Sequence, residues 1–527
     1  MRFPFRAVVV SLILAAFFTT GNLPGQAPAD RGAFVLHVGT DTIVIERFAW
    51  TGDTIQGSIS VQRQPRIDYL AILDGKGLVS SMVMSVFAAN ASPDAAPLQR
   101  VLITMRGDSA FAEVGTKVQG FATKAGALPL LNNSFALAEL FTRRARAMGG
   151  TIELPGWALN GGVTLMMKLR QEGADSMVLT LVGQEERLRV DAAGRILGGV
   201  IPGQRLEVSR VGAALASTIK LGLPDYSAPA GAPYTATEVT VPGPGGITLG
   251  GTLTVPTGAS RPVPAVVTIT GSGQQDRDEF IPVAGGYRLF RQVADTLGRR
   301  GIAVLRLDDR TVGASGGTLG TSADYADDAR AALAFLRTRP EIDGSRLGLV
   351  GHSEGGMIAP MVAAKDAKLK AIVLMAGPAQ NGLVIIHFQQ RQAIDGDSSI
   401  KAGSRDSAYR AAATSLDSTA AASPWLKFFL NYDPLATARR VKTPTLILQG
   451  ATDHQVTPEQ APALAAAMRQ GGNRKVTMRV FPNLNHLFIH DPSGLPSGYT
   501  ALRNNRVAPE VLGAIADWLQ VQLGASR

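Results

Sequence analysis

The chain has 527 residues, 45% of them hydrophobic and 18% charged, which excludes a disordered polymer and leaves apolar material for more than one core. It has no cysteine, so disulfides, thiolate metal sites, a cysteine nucleophile and lipid attachment through an N-terminal cysteine are all excluded. The formal charge of +10, from 52 Lys and Arg against 42 Asp and Glu, is thinly spread: the densest cluster, Arg143, Arg144 and Arg146, lacks the interleaved aromatics of a nucleic-acid surface and reads as a solvated helix face.

Residues 1–27 are expected to be a secretory signal. Arg2 and Arg6 precede an uncharged run from Ala7 to Phe18, shorter than the roughly 20 residues that span a bilayer. Small residues follow, with cleavage expected near Ala27. The product would be periplasmic or secreted; a retained membrane anchor is the alternative.

Residues 28–222 carry short alternating runs such as FVLHV, TIVIERF, VSSMVMSVF and RLRVDA, separated by turn residues. They predict an N-terminal antiparallel β-rich domain, interrupted by one helix from Ser134 to Met148. No fixed period recurs, which argues against a propeller. Residues 223–233, rich in Pro, Ala and Gly, read as a linker.

From 234 to 527 the pattern changes. An antiparallel hairpin over Val239 to Val255 leads into apolar strands (AVVTIT, IAVLRL, RLGLVG, KAIVLMA, TLILQG, TMRVF) that alternate with amphipathic helices. Strands apolar on both sides require cover on both faces, so the expectation is an α/β domain with a mostly parallel central sheet. A helical insertion at about 380–440 is the size of a lid.

The sharpest chemical signal is Gly351-His352-Ser353-Glu354-Gly355, placed between a strand and a helix. A serine on so tight a turn is lifted into the open, and small residues are needed two positions to either side. Ser353 is the candidate nucleophile, with the Glu354 amide aimed at the same point. A serine nucleophile needs a base, and the base an orienting acid. In the chain order Ser, acid, His, the acid expected after TLILQG is Asp453 and the base expected after TMRVF is His486. His490, four residues on, is the rival base.

Ser272, between Gly271 and Gly273 at the end of AVVTIT, is the candidate second oxyanion donor. Asp308, Asp309 and Arg310 read as scaffold for that loop, through a buried ion-pair network with Asp276 or Arg277. His352 is too close in sequence to fold back onto Ser353. His454 reads as a loop histidine, and His37 and His387 as structural. No two of the six histidines stand at metal-ligand spacing with acidic partners, so no metal is expected.

The segments GSGQQDRDEF (271–280), DDRTVGASGG (308–317), GHSEGGMIAP (351–360) and LQGATDHQV (448–456), with His486, resemble bacterial serine esterases of the α/β-hydrolase fold that carry an extra N-terminal domain. The resemblance covers the chain from about Tyr234 onward. It implies a carboxylesterase for small-molecule acyl esters with a Ser–Asp–His triad and no cofactor. The thinly spread charge and the lack of any window as long as a membrane span lead to the separate expectation of no nucleic-acid partner and no stable membrane insertion after signal cleavage. One departure is Thr311, where that loop usually carries glycine, which puts its backbone angles in question. Two other readings stay open: a prolyl-oligopeptidase-like peptidase, and a binding protein whose hydrolase domain is vestigial.

Overall fold

The computed structural model describes residues 30–525 except 39–40, 63, 89–90, 93, 160–161, 182–183, 222–223, 259–261, 398–399 and 503. The expected signal at 1–27 lies outside the described residues. Among those described, no helix is long and apolar enough to cross a membrane.

The alternating segments build one sheet of 15 strands. Asp30–Val38 lies in its middle, antiparallel to both Asp41–Thr51 and Leu206–Gly212. The chain meanders outward to one edge, restarts at the opposite edge and meanders back inward, so the unit's first and last strands are neighbours. The short Leu128–Leu130 strand, parallel to Thr151–Ala158, is the exception to antiparallel pairing.

The helix expected near Ser134 runs over Phe135–Met148 with Ser134 as its cap. It buries Phe135, Leu137 and Phe141 among Phe34, Ile55, Trp157 and Leu169 from strands on both sides of the meander. Its N-terminus is also closed by the fully buried Glu46. The Glu46 carboxylate accepts from Phe135 N at 2.6 Å and Ala136 N at 3.0 Å, and from Tyr69 Oη at 2.6 Å and Ser134 Oγ at 2.5 Å. Burial pushes this carboxyl up to about 7, while the four donors pull it back toward the ionised form. The free N–H groups of a helix start need acceptors, and here a strand supplies one from 89 positions away.

The second sheet has eight strands. In spatial order they are Tyr234–Pro242, Thr248–Pro256, Ala303–Leu307, Val263–Ile269, Ile342–His352, Ala371–Met375, Thr445–Gly450 and Val476–Phe481. The first two pair antiparallel, and the second runs antiparallel to Ala303–Leu307; all other pairings are parallel. Each central strand feeds both faces: Ala265 and Val267 join helices Ser322–Arg337, Glu354–Ala363 and Gln460–Gln470, whereas Val266 joins Leu289–Gly298 and Pro509–Leu523. Double-sided burial is why these strands read as unbroken apolar runs. This is the α/β-hydrolase architecture, preceded by a large antiparallel sheet.

Between Ala371–Met375 and Thr445–Gly450 lie helices Gly382–Gly396, Arg405–Ala422, Pro424–Asn431 and Pro434–Ala438. They form the helical insertion expected there, with a small core of Leu416, Leu426 and Leu430.

The Pro-rich segment is docked. Tyr226 Oη donates to Asp276 Oδ2 at 3.1 Å, and its ring lies 4.2 Å from the Arg277 guanidinium. The first sheet's unit touches the second through Arg205 Nε, which donates to Thr500 O at 2.9 Å, and through Phe280, which packs against the N-terminal core.

Candidate active site

Ser353 follows the Ile342–His352 strand and caps the Glu354–Ala363 helix with φ 53° and ψ −118°. A side chain rarely adopts positive φ, and such strain gathers at functional turns. The turn is held by Ser353 N donating to Met375 O at 2.9 Å. The flanking glycines are demanded by space: a Cβ on Gly351 would sit 2.1 Å from Gly355 O, and one on Gly355 would sit 2.1 Å from Ile269 O.

Asp453 and His486 are brought together. His486 Nδ1 donates to Asp453 Oδ2 at 2.8 Å, with His486 4% and Asp453 1% exposed. The carboxylate is fixed further by Gln449 Nε2 at 2.9 Å, Gln455 N at 2.8 Å and Val456 N at 2.9 Å. With Nδ1 committed to the acid, Nε2 is the nitrogen left to accept a proton. The His486 loop lies against the elbow, for its ring centroid is 4.8 Å from that of His352. His490 goes elsewhere, pairing with Glu510 at 3.3 Å with its side chain 56% exposed.

Gly271 abuts the elbow; a Cβ there would lie 3.2 Å from Ser353 Cβ. The next residue, Ser272, is exposed and hydrogen-bonds the Glu354 carboxylate through its side chain. That carboxylate is buried and also accepts from Ser322 Oγ at 2.6 Å and Trp425 Nε1 at 2.9 Å. Burial raises the Glu354 carboxyl, against these hydrogen bonds. Trp425 belongs to the helical insertion, which the sequence did not link to the elbow.

The expected ion-pair network divides in two. Asp308 meets Arg277 in a two-pronged pair, Nε to Oδ1 at 3.1 Å and Nη2 to Oδ2 at 2.7 Å, both side chains buried. Burial disfavours that guanidinium, but Asp308 and Glu238 more than compensate and leave it more basic than usual. Arg310 lies outside this pair and binds Asp328 at 2.7 Å. Asp309 instead accepts from Gln275 N at 2.9 Å and Thr270 Oγ1 at 3.0 Å, its acid form favoured by burial. Thr311 has φ at +69°, the left-handed conformation that glycine adopts without strain and a β-branched residue only at a cost.

Of the other histidines, His37 Nδ1 pairs with Thr42 Oγ1 at 3.2 Å, and His454 Nδ1 with Gln392 Nε2 at 2.9 Å on the helical insertion. His387 is exposed. His352 is far from idle: its ring is buried and joins Glu279 to the His486 main chain. Sequence reasoning missed Glu279 and passed over His352, since nothing local links positions 73 apart. Among the described residues no three His, Asp or Glu side chains converge as a metal site.

A serine aminopeptidase (S33) family model matches residues 284–493, a span containing Ser353, Asp453 and His486. Esterase EstD of Thermotoga maritima is 30% identical over 305 residues, 56% of this chain and 70% of that relative. Among solved structures, the esterase Pf2001 of Pyrococcus furiosus is 17% identical, covering 57% of this chain and 96% of that one, with a TM-score of 0.40. The proline iminopeptidase of Mycobacterium smegmatis is 17% identical, covering 55% and 99%, with a TM-score of 0.39.

Proposed function

The chain belongs to the esterases of the α/β-hydrolase fold and is a hydrolase acting on ester bonds, and from that premise we propose that Ser353, His486 and Asp453 form its triad and pass an acyl group through Ser353 to water. The observation that carries this reading is the His486 Nδ1 to Asp453 Oδ2 hydrogen bond of 2.8 Å beside an elbow serine at φ 53°.

Ser353 Oγ attacks the ester carbonyl while His486 Nε2 takes its proton. The oxygen that gains the charge is received by the N–H groups of Glu354 and Ser272; loss of one such donor raises a barrier by about 2.7–4 kcal/mol. Collapse expels the alcohol, which takes the proton from His486. Water then repeats the sequence on the acyl-serine and frees the acid. The substrate is a small-molecule ester, and residues 1–27 would direct the chain to export.

A second reading, a serine aminopeptidase, is favoured by the description of the matching family model. A chromogenic acetyl ester assayed beside an aminoacyl-anilide separates the two. Ester turnover with little anilide cleavage is expected; the reverse preference would overturn the esterase reading.

The N-terminal sheet is proposed to form a separable domain, dispensable for hydrolysis of a small soluble ester because every proposed catalytic group lies between Ser272 and His486. Since Tyr226 is seated on Asp276 and Arg277, the shortened chain must begin before Tyr226, near Pro224. It is expected to turn over an acetyl ester close to the full-length rate. Inactivity in a chain shown by circular dichroism to be folded would mean that the first domain supplies part of the site.

A further inference from the structure

Behind the elbow, Glu279 and His352 form a buried pair, each side chain 2% exposed, with Nδ1 and Oε1 2.6 Å apart. The other ring nitrogen, Nε2, is 3.0 Å from the main-chain oxygen of His486. A carboxylate and a carbonyl can only accept. Opposite an ionised carboxylate and a carbonyl, both nitrogens are satisfied together only when both carry a proton, as in the imidazolium. Burial works against that cation, but the charge and hydrogen bond of Glu279 outweigh it and hold His352 above its ordinary range.

The same Glu279 Oε1 accepts from Gly271 N at 3.2 Å. Glu279 reaches this position with φ at +54°, a conformation costly for a residue with a side chain. Its other oxygen, Oε2, has no hydrogen-bond partner among the described residues. A buried ion pair is on balance a poor stabiliser of a fold, so what matters here is what the pair connects. One end meets the residue before Ser272, the middle adjoins Ser353, and the far end holds the main chain of His486.

We propose that Glu279 and His352 are a positioning pair that holds the oxyanion loop, the elbow and the His486 loop in mutual register for the reaction. The inference rests on the triad assigned above. Neither side chain touches the reacting atoms; each acts by placing groups that do. A misplacement of about 1 Å in such groups costs on the order of 10²-fold in rate.

The test is steady-state kinetics on a small acetyl ester with Glu279→Gln, His352→Gln and the double variant. Each single change is expected to lower kcat by about 10²-fold with KM nearly unchanged, since alignment serves the transition state more than substrate binding. The double variant, which leaves no unpaired buried charge, is expected to lose no more than the worse single. If Glu279→Gln does not fold, Glu279→Asp, which keeps the charge on a shorter arm, is read in the same way. Wild-type kcat in a folded single variant, or a loss confined to KM, overturns the pair. Ser353→Ala, assayed in parallel, separates the two assignments. An active Ser353→Ala would remove the site that the pair serves, whereas wild-type kcat in the pair variants beside an inactive Ser353→Ala would overturn the pair alone.

Discussion

Ser353→Ala is expected to abolish ester hydrolysis, with a fall in kcat on the order of 10⁶-fold, while the chain melts within a few degrees of the unaltered protein. The rate effect follows from losing the atom that forms the acyl bond. Stability should change little because the turn is held by main-chain groups: Ser353 N on Met375 O, Gly356 N on Ser353 O, and the glycines packed around it. Alanine bears the same positive φ as serine, so no strain is added or released. A fluorophosphonate probe should label the unaltered chain and leave the variant unlabelled. Activity near the original level would place the nucleophile elsewhere.

His486→Ala should be as damaging as the loss of the serine, because the members of a triad act as a unit. Without the imidazole nothing takes the Ser353 proton, and the Asp453 carboxylate keeps its donors from Gln449, Gln455 and Val456 but has no base to orient. His490→Ala, by contrast, removes a half-exposed side chain paired with Glu510 at 3.3 Å, a surface contact worth about 0–1 kcal/mol. It should leave turnover unchanged. Turnover measured on both variants with one acetyl ester decides the matter, and the opposite ranking would show that His490 is the base.

Much of this protein was legible in its sequence, for reasons that are local. The Ile342–His352 strand, the glycines around Ser353 and the helix after them announce an elbow because small residues are required within a few positions of the serine. Strands apolar throughout signalled a sheet covered on both faces, as the two cores beside Val266 and Val267 bear out. The alternating segments likewise signalled antiparallel pairing. Asp453 and His486 could be singled out as the proposed acid and base because each lies in the loop that follows a strand of the parallel sheet.

Other features were decided by tertiary structure. Asp30–Val38 pairs with Leu206–Gly212, a closure that neither segment encodes alone. Glu46 caps a helix 89 positions away, Tyr226 fastens an apparent linker to Arg277, and Arg310 turns to Asp328 rather than into the network beside it. Trp425 reaches Glu354 across the fold, and His352 finds Glu279 on one side and the main chain of His486 on the other. Backbone pattern and hydrophobic period depend on neighbours a few residues away and can be read along the chain. The partner of a buried charge depends on which loops packing brings to the same end of the sheet, where a side chain taken out of water must find whatever donor or acceptor the fold has placed there.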